Sequence, residues 1–193
     1  MSSTGRAFVA VVPPPEVLDA VGAAMEPIRR TVPGARWTTR GQWHVTLQFL
    51  GNHVDLDAAA GALHALDVTS GPARLGGGGA FPSARRGRVL WVGLAEGAEL
   101  VMRLAERVGA LLAPLGYEAD ARPYHPHLTL ARIQPPVEVS EAVRSVDGAS
   151  LGPAWPVTDV VLFQSHTRST GAEYEPFARI RVAPEDRGVA PVG

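Results

Sequence analysis

The sequence predicts an α+β protein with two related lobes, each a small sheet that carries helices on one face. The length of 193 residues fits one domain, or two small lobes that share a core. Segments of strand character and of helix character are mixed along the chain. Two nearly identical tetrapeptides, His44–Leu47 and His127–Leu130, occur near the middle of the two halves. We therefore expect residues 1–183 to form a single bilobal domain and residues 184–193 a flexible C-terminal tail.

Seven strands are predicted where β-branched and aromatic residues cluster between turn residues. A turn at Gly51-Asn52 is expected to end the second strand, and Pro135-Pro136 to end the fifth. Trp37 is expected in a short extended piece before the second strand. The predicted strands are Arg6–Val12, Trp43–Leu50, a glycine-rich segment around residues 76–79, Arg88–Leu94, His127–Ile133, Val157–His166 and Tyr174–Val182.

Four helices are predicted where apolar residues recur at helical spacing. Three prolines precede the first helix, and Pro27 is expected to kink or end it. Asp55 suits the N-cap of the second helix, and Gly116 closes the third. The predicted helices are Glu16 to about Arg30, Asp55–Leu66, Ala98–Leu115 and Val139–Val146.

Four consecutive glycines, Gly76–Gly79, invite comparison with a phosphate-binding loop. A P-loop needs a Lys followed by Ser or Thr, and no such pair follows here. Glycines inside a strand usually mark bulges or bends. We therefore expect a bulge in a strand at this point rather than a phosphate site.

The composition excludes several classes of function. A formal net charge of −1 argues against a generally basic protein that wraps nucleic acid, so any RNA contact must be local. The absence of cysteine excludes disulfides, thiolate catalysis and Cys-ligated zinc or iron–sulfur sites. No apolar run approaches the length of a membrane span, and the N-terminal residues lack the core of a signal peptide. We therefore expect a cytoplasmic protein.

Each tetrapeptide places a His and a Thr two residues apart in a strand, so the two side chains point to the same face. Two such strands facing one cleft would supply two proton-transfer groups and two neutral donors. This set suits a phosphate diester: one His activates the nucleophile, the other protonates the leaving oxygen, and the hydroxyls bind the non-bridging oxygens. The spacing does not say which His is the acid. The residues expected on the opposite, core face are Val45, Leu47, Phe49, Leu128 and Leu130.

With both motifs intact, the chain resembles the 2H phosphoesterase superfamily, which is named for two His-x-Thr-x motifs. Within it, the likeness is greatest to the bacterial RNA 2′,3′-cyclic phosphodiesterases, also called 2′-5′ RNA ligases. It extends from Arg6 to about Ile180, with Tyr124 standing where this subfamily often has Phe. The segments that carry the resemblance are Phe8–Val11, Trp43–Gly51, Phe81-Pro82, Arg88–Trp91, Arg122–Arg132 and Leu162–His166.

The resemblance implies a cleft between two mainly antiparallel sheets. It implies hydrolysis of a 2′,3′-cyclic phosphate at an RNA end to a 2′-phosphomonoester, without metal or cofactor, and the reverse joining of RNA ends by a 2′-5′ bond. It assigns His44 the role of proton donor to the departing 3′ oxygen and His127 the role of proton acceptor from water. Thr46 and Thr129 then hydrogen-bond the phosphate oxygens. We also expect a monomer with no membrane partner.

Six further residues are candidate substrate contacts, since an RNA phosphate needs cations and a base needs a stacking platform. Arg132 follows the second motif, but strict alternation points it away from His127 unless the strand carries a bulge. The other candidates are Arg122 for a phosphate, Tyr124 and Phe81 for bases, His125 for orientation and His166 for the lining of the cleft.

Other functions stay open at this point. His125-Pro126-His127 resembles half a metal site, although no Asp, Glu or Cys cluster completes it locally. The same cleft could hold RNA ends without catalysis, but binding alone does not need two titrating imidazoles. The sequence does not separate an RNA end from a small cyclic nucleotide or an ADP-ribose cyclic phosphate as the substrate.

Overall fold

The computed structural model describes residues 4–168 and 171–184, which form nine strands and four α-helices. Of the predicted C-terminal tail, only Pro184 lies within the described residues. The helices are α1 Pro15–Ile28, α2 Leu56–Leu63, α3 Ala98–Leu112 and α4 Ser140–Asp147. The strands are β1 Thr4–Val11, β2 Ala35–Trp37, β3 Val45–Asp55, β4 Pro72–Phe81, β5 Gly87–Glu96, β6 Leu128–Val137, β7 Trp155–Pro156, β8 Asp159–Arg168 and β9 Gly171–Arg181.

The named strands pair into a sheet with the order β7-β4-β5-β6-β3-β1-β8-β9, and β2 adds to β6. Each of these pairings is antiparallel. At its centre, β3 meets β6 through one pair of residues, Val45 and Leu128. This narrow joint divides the sheet into two lobes, which confirms the predicted bilobal α+β class.

The lobes are not the two halves of the chain. The first lobe combines β1 and β3 with β8 and β9, the last two strands in the sequence. The second lobe is built from β2 and β4–β7. The chain therefore leaves the first lobe after β3, builds most of the second, and returns to complete the first.

The two faces of the sheet differ in what covers them. The large core contains buried side chains from all four helices, including Val17, Leu56, Leu104 and Val146, together with Val9 of β1. Alternate residues of β1 point the other way, where Phe8 packs with other aromatic side chains in a smaller cluster. Helices thus cover one face, and the other face is left for a site. None of the described helices is long and apolar enough to cross a membrane.

Two predicted strand ends are wrong. β3 does not turn at Gly51-Asn52 but continues to Asp55, passing through positive φ angles at Gly51 (88°) and His53 (61°). It stays in the sheet because Val54 and Asp55 pair with the first residues of β1. β6 likewise runs beyond Pro135-Pro136, since Val137 pairs with Gly87 of β5.

Helix ends differ by a few residues for local reasons. α1 ends at Ile28, directly after Pro27, which has no N–H to donate to the preceding turn. α3 ends at Leu112 and gives way to a 3₁₀ turn that Gly116 closes with a φ of 83°.

The glycine tract is a bulged part of β4, as predicted. Leu75 pairs with Leu94 and Gly78 with Val92, so β4 carries one more residue than β5 between these pairs. Gly77 takes up the irregularity with a φ of 81°. The tract therefore shapes the sheet.

Candidate active site

The two motifs meet at the joint between the lobes. His44 directly precedes β3 and His127 directly precedes β6, and the paired Val45 and Leu128 are the second residues of the two motifs. The His and Thr side chains of both motifs are partly exposed, whereas Val45 and Leu128 are buried. Each motif thus presents its imidazole and its hydroxyl on the open side of the joint.

Both motif strands carry a bulge at the same place. In β3, Gln48 pairs with Val9 and Thr46 with Ala10, so Leu47 is an extra residue. Leu47 and Gln48 are consequently both buried, and alternation is reversed beyond them. Phe49 therefore lies on the face of His44, 61% exposed, and its predicted core position is wrong.

The matching bulge in β6 decides the position of Arg132. Ala131 pairs with Leu90 and Thr129 with Trp91, so Leu130 is the extra residue, and Leu130 and Ala131 are both buried. Arg132 is exposed beyond them, on the face of His127 and Thr129. Its positive charge lowers the pKa of both motif imidazoles.

His44 lies in an aromatic pocket of the first lobe. The ring of Phe8 stacks on it at 4.7 Å, and Tyr174 meets it edge-on at 5.3 Å. Burial lowers the pKa of His44, the nearby charges of His127 and Arg132 act in the same direction, and the backbone hydrogen bond to Gln42 opposes them, which leaves the pKa at about 4. The free imidazole is therefore neutral near pH 7.

His127 has a similar setting in the second lobe. Its Nδ1 lies 2.7 Å from the carbonyl oxygen of His125. Because a carbonyl only accepts, Nδ1 carries the hydrogen and Nε2 is left for the reaction. Phe81 meets the ring edge-on at 5.1 Å. Burial lowers the pKa of His127, and the charges of His125 and Arg132 act in the same direction. Each motif His is thus held by a carbonyl two residues upstream.

Two hydrogen-bond links cross between the motifs. The Trp43 indole N–H donates to the hydroxyl of Thr38, which lies 2.8–2.9 Å from the carbonyls of Thr129 and Leu130. In the other direction, the Tyr124 hydroxyl donates to the carbonyl of Thr46 at 2.7 Å. These links fix the spacing of the two imidazoles through residues that flank the motifs.

Of the predicted substrate contacts, the structure brings three together with the motifs. They are Arg132, Phe81 and His125, whose ring is 5.8 Å from that of Phe81 and 6.3 Å from that of His127. Tyr124 is beside the site, but its hydroxyl is engaged with the backbone and burial raises the pKa of the phenol. Arg122 is exposed in the preceding loop, where it pairs with Asp120.

His166 lies on the other face of the sheet. In β8, Phe163 points to the side of Phe8 and His44, at 5.2 and 6.2 Å between ring centroids. Three residues further, alternation turns His166 to the opposite side, where its Nε2 lies 3.1 Å from a carboxylate oxygen of Glu175. The structure does not place it in the cleft.

The sequence reasoning missed several residues of the site, of which Trp91 is the clearest. Its ring lies 4.6 Å from that of His125, and a side chain at Gly79 would overlap it. The glycine tract therefore makes room for an indole next to the second motif. Pairing of β4 with β5, which the sequence does not show, was the missing information. The other missed residues are Phe8, Phe49, Tyr174 and Thr38.

Two other kinds of site in the described residues do not compete with this cleft. No group of three or more His, Cys, Asp or Glu among them is placed to hold a metal ion. A cavity of about 560 Å³ lies between α1 and α4 and is lined mainly by small side chains such as Ala20, Ala24 and Ser145. It contains no residue of either motif, so we place the site at the open cleft where the chemical groups converge.

Comparison with known proteins shows which family this chain belongs to. A family profile described as the 2′-5′ RNA ligase superfamily matches residues 13–169. The RNA 2′,3′-cyclic phosphodiesterase of Archaeoglobus fulgidus is 33% identical over 176 residues, which cover 88% of this chain and 96% of that protein. The enzyme of the same name from Aeropyrum pernix is 36% identical over 94 residues, covering 48% of this chain and 53% of that one. Among solved structures, LigT of Escherichia coli matches with a TM-score of 0.76 and 24% identity, covering 94% of this chain and 99% of that one. The chain belongs to the 2′-5′ RNA ligase superfamily.

Proposed function

We propose that this protein is an RNA 2′,3′-cyclic phosphodiesterase, which opens a terminal 2′,3′-cyclic phosphate to a 2′-phosphomonoester. The observation that carries the proposal is the meeting of the two motifs at the joint, where Val45 pairs with Leu128 and the charges of His127 and Arg132 act on His44. The names of the relatives from Archaeoglobus fulgidus and Aeropyrum pernix support the substrate class. In the proposed reaction the 3′ oxygen departs, so the product carries its phosphate at the 2′ position.

The reaction needs an acid and a base on opposite sides of phosphorus. His127, with Nδ1 bonded to a carbonyl, presents Nε2 as the base that removes a proton from water. His44 gives a proton to the departing 3′ oxygen. Thr46 and Thr129 donate hydrogen bonds to the non-bridging oxygens, where negative charge builds up in the transition state. In the reverse, ligating direction the roles of acid and base are exchanged.

The protonation states fit these roles once the substrate is bound. A lowered pKa keeps His127 neutral, as a base must be. His44 must instead be protonated, although its pKa is about 4 in the free protein. The anionic cyclic phosphate supplies the negative charge that raises this pKa in the complex. Arg132 balances the charge of the phosphate as the bond to the 3′ oxygen breaks.

The decisive experiment is product analysis. The protein is incubated with a short RNA that ends in a 2′,3′-cyclic phosphate, and the terminal phosphate is identified as 2′ or 3′ by digestion and chromatography. We expect the 2′ isomer. Formation of the 3′ isomer would mean that the 2′ oxygen is the leaving group and would refute the assigned geometry. Binding without turnover would favour an RNA-end binder, and faster turnover of an ADP-ribose cyclic phosphate would favour a small-molecule enzyme.

A further inference from the structure

Two arginines lie directly opposite each other beside the site. β2 pairs with β6 so that Arg36 is the register partner of Arg132. Directly opposite residues of an antiparallel pair share one face, with Cβ atoms about 4.5–5.5 Å apart. The neighbours of Arg36 agree with this, because Ala35 and Trp37 pack against the core on the other side. Arg36 therefore shares the cleft face with Arg132.

This pair is unfavourable in the protein alone. Like charges directly opposite in a sheet are destabilising. Some exposed arginines, such as Arg40, Arg74 and Arg107, are paired with carboxylates, whereas others, such as Arg29 and Arg103, are not. Within residues 4–168 and 171–184, neither Arg36 nor Arg132 has such a partner. An anion of more than one charge would compensate both guanidiniums.

The positions of the two side chains separate their tasks. The charge of Arg132 lowers the pKa of both motif imidazoles, so Arg132 lies close to them. We therefore assign it to the reacting phosphate. Arg36 lies on β2, one strand away from Arg132. An RNA chain that ends in a cyclic phosphate has its next phosphodiester one nucleotide away, whereas a cyclic mononucleotide has none.

We propose that Arg36 binds the phosphodiester that precedes the terminal nucleotide, so that the site selects an RNA chain over a mononucleotide. This rests on the proposed function, because it assumes that the terminal phosphate lies between His44 and His127. The ligand class is thus an oligonucleotide with at least two phosphates.

Binding of product-like ligands tests the proposal without turnover. One ligand is 2′-AMP, with a single phosphate, and the other is a dinucleotide of two adenosines that ends in a 2′-phosphate. Dissociation constants are measured by calorimetry for the wild type, Arg36→Gln and Arg103→Gln. Arg103 is a matched control because it is exposed on α3, on the helix-covered side of the sheet.

We expect the wild type to bind the dinucleotide more tightly than 2′-AMP. Arg36→Gln should weaken dinucleotide binding about tenfold more than 2′-AMP binding, since a hydrogen bond to a charged group is worth about that factor. The salt dependence of dinucleotide binding should also lose about 0.7 from its logarithmic slope, as for one single-strand phosphate contact. Arg103→Gln should change neither quantity.

Three results would overturn the proposal: equal weakening of both ligands by Arg36→Gln, no weakening of either, or no preference of the wild type for the dinucleotide. Equal weakening would place Arg36 on the terminal phosphate together with Arg132. The proposed activity can fail separately. If the wild type leaves RNA cyclic phosphates intact while Arg36→Gln loses the preference for the dinucleotide, the second phosphate site is supported and the proposed reaction is refuted.

Discussion

His44, Thr46, His127 and Thr129 could be predicted as a group because alternation along a strand depends only on local geometry. The side chains that follow them could not. Phe49 and Arg132 reach the cleft face through one extra residue in each strand. Neither bulge contains a glycine or a proline, so the sequence offers no local sign of it. Pairing with β1 and β5 creates these bulges, and pairing partners are distant in sequence.

The catalytic pair gives the first prediction. His44→Ala and His127→Ala should each lower kcat by about 10²–10⁴, the range typical of general acid–base catalysis. The double variant should be little worse than either single variant, because the two groups act as a unit. Turnover of an RNA cyclic phosphate measures this. His64→Ala is the matched control, since His64 lies at the end of α2 with its Nδ1 at the carbonyl of Ala60. Near-normal turnover in either single variant would show that its His has no such role.

The two hydroxyls give a second prediction. Thr46→Val and Thr129→Val keep the shape and strand preference of the side chain but remove the donor. Each should lower kcat by about 10²–10³, as for the loss of one donor to transition-state charge. Thermal unfolding should show that both variants fold, and Thr69→Val, at an exposed site outside the cleft, should keep normal activity. An unchanged kcat would remove that hydroxyl from the mechanism.

The lowered pKa values give a third prediction, on pH. kcat/KM reports the free protein, in which His44 must be protonated and His127 neutral. The pKa of His44 is about 4 and that of His127 is also lowered. Above neutral pH, few molecules therefore have His44 protonated and His127 neutral at the same time. We expect a bell-shaped profile with its maximum below about pH 6.5, the ordinary imidazole pKa.

The profile of kcat tests the same point in the complex. The bound phosphate raises the pKa of His44, so the kcat profile should lie at higher pH than that of kcat/KM. The limbs belong to the pair rather than to one residue. A profile that is flat from about pH 5 to 9 would contradict proton transfer by two imidazoles.

At the scale of elements, helices and strands could largely be located from periodicity and turn residues, and the errors are instructive. Gly51-Asn52 is a turn signal that the sheet overrides, because β1 still has unpaired residues for β3 to meet. Pro135-Pro136 is tolerated near the end of β6 because pairing with β5 resumes at Val137. Local signals predict where an element begins more reliably than where sheet pairing lets it end.

The glycine tract gives a fourth prediction. A Cβ at Gly79 would overlap the ring of Trp91, so Gly79→Ala should force the indole to move. Overpacking of this kind costs about 1–3 kcal/mol, measurable by urea unfolding. Turnover should fall as well, because Trp91 packs on His125, whose carbonyl holds His127.

The control for this variant lies in α2. Gly61 has open space around its Cβ position, so Gly61→Ala should stabilise the protein by about 0.5–1 kcal/mol through helix preference. If Gly79→Ala is as stable and active as the wild type, a glycine at this position is not needed to accommodate the indole ring of Trp91.

At the scale of the molecule, two lobes could be predicted from the repeated motif, but their connectivity could not. A repeat suggests that each half of the chain folds by itself, whereas β8 and β9 cross back to the first lobe. Strand order depends on long-range pairing energies that leave no periodic signal. The joint at Val45 and Leu128 was equally hidden, although both residues lie inside the motifs.

The proposed set of reacting groups gives the last prediction. Two imidazoles, two hydroxyls and one guanidinium can move the protons and balance the charge of the phosphate without a Lewis acid. Activity on an RNA cyclic phosphate should therefore survive incubation with EDTA, and added Mg²⁺ or Zn²⁺ should not increase it. Loss of activity on chelation, with rescue by a divalent ion, would refute the metal-free reaction.

The return of the chain to its first lobe has a consequence during protein synthesis. The ring of His44 lies between Phe8, near the beginning of the chain, and Tyr174 in β9. Contacts between such distant segments form late, because closing a long loop costs entropy. Strands β4, β5 and β6 follow one another in sequence and can assemble around His127 while translation continues. On the ribosome, the surroundings of His127, the proposed base, can therefore form first, and those of His44, the proposed acid, are completed only after β9 has emerged.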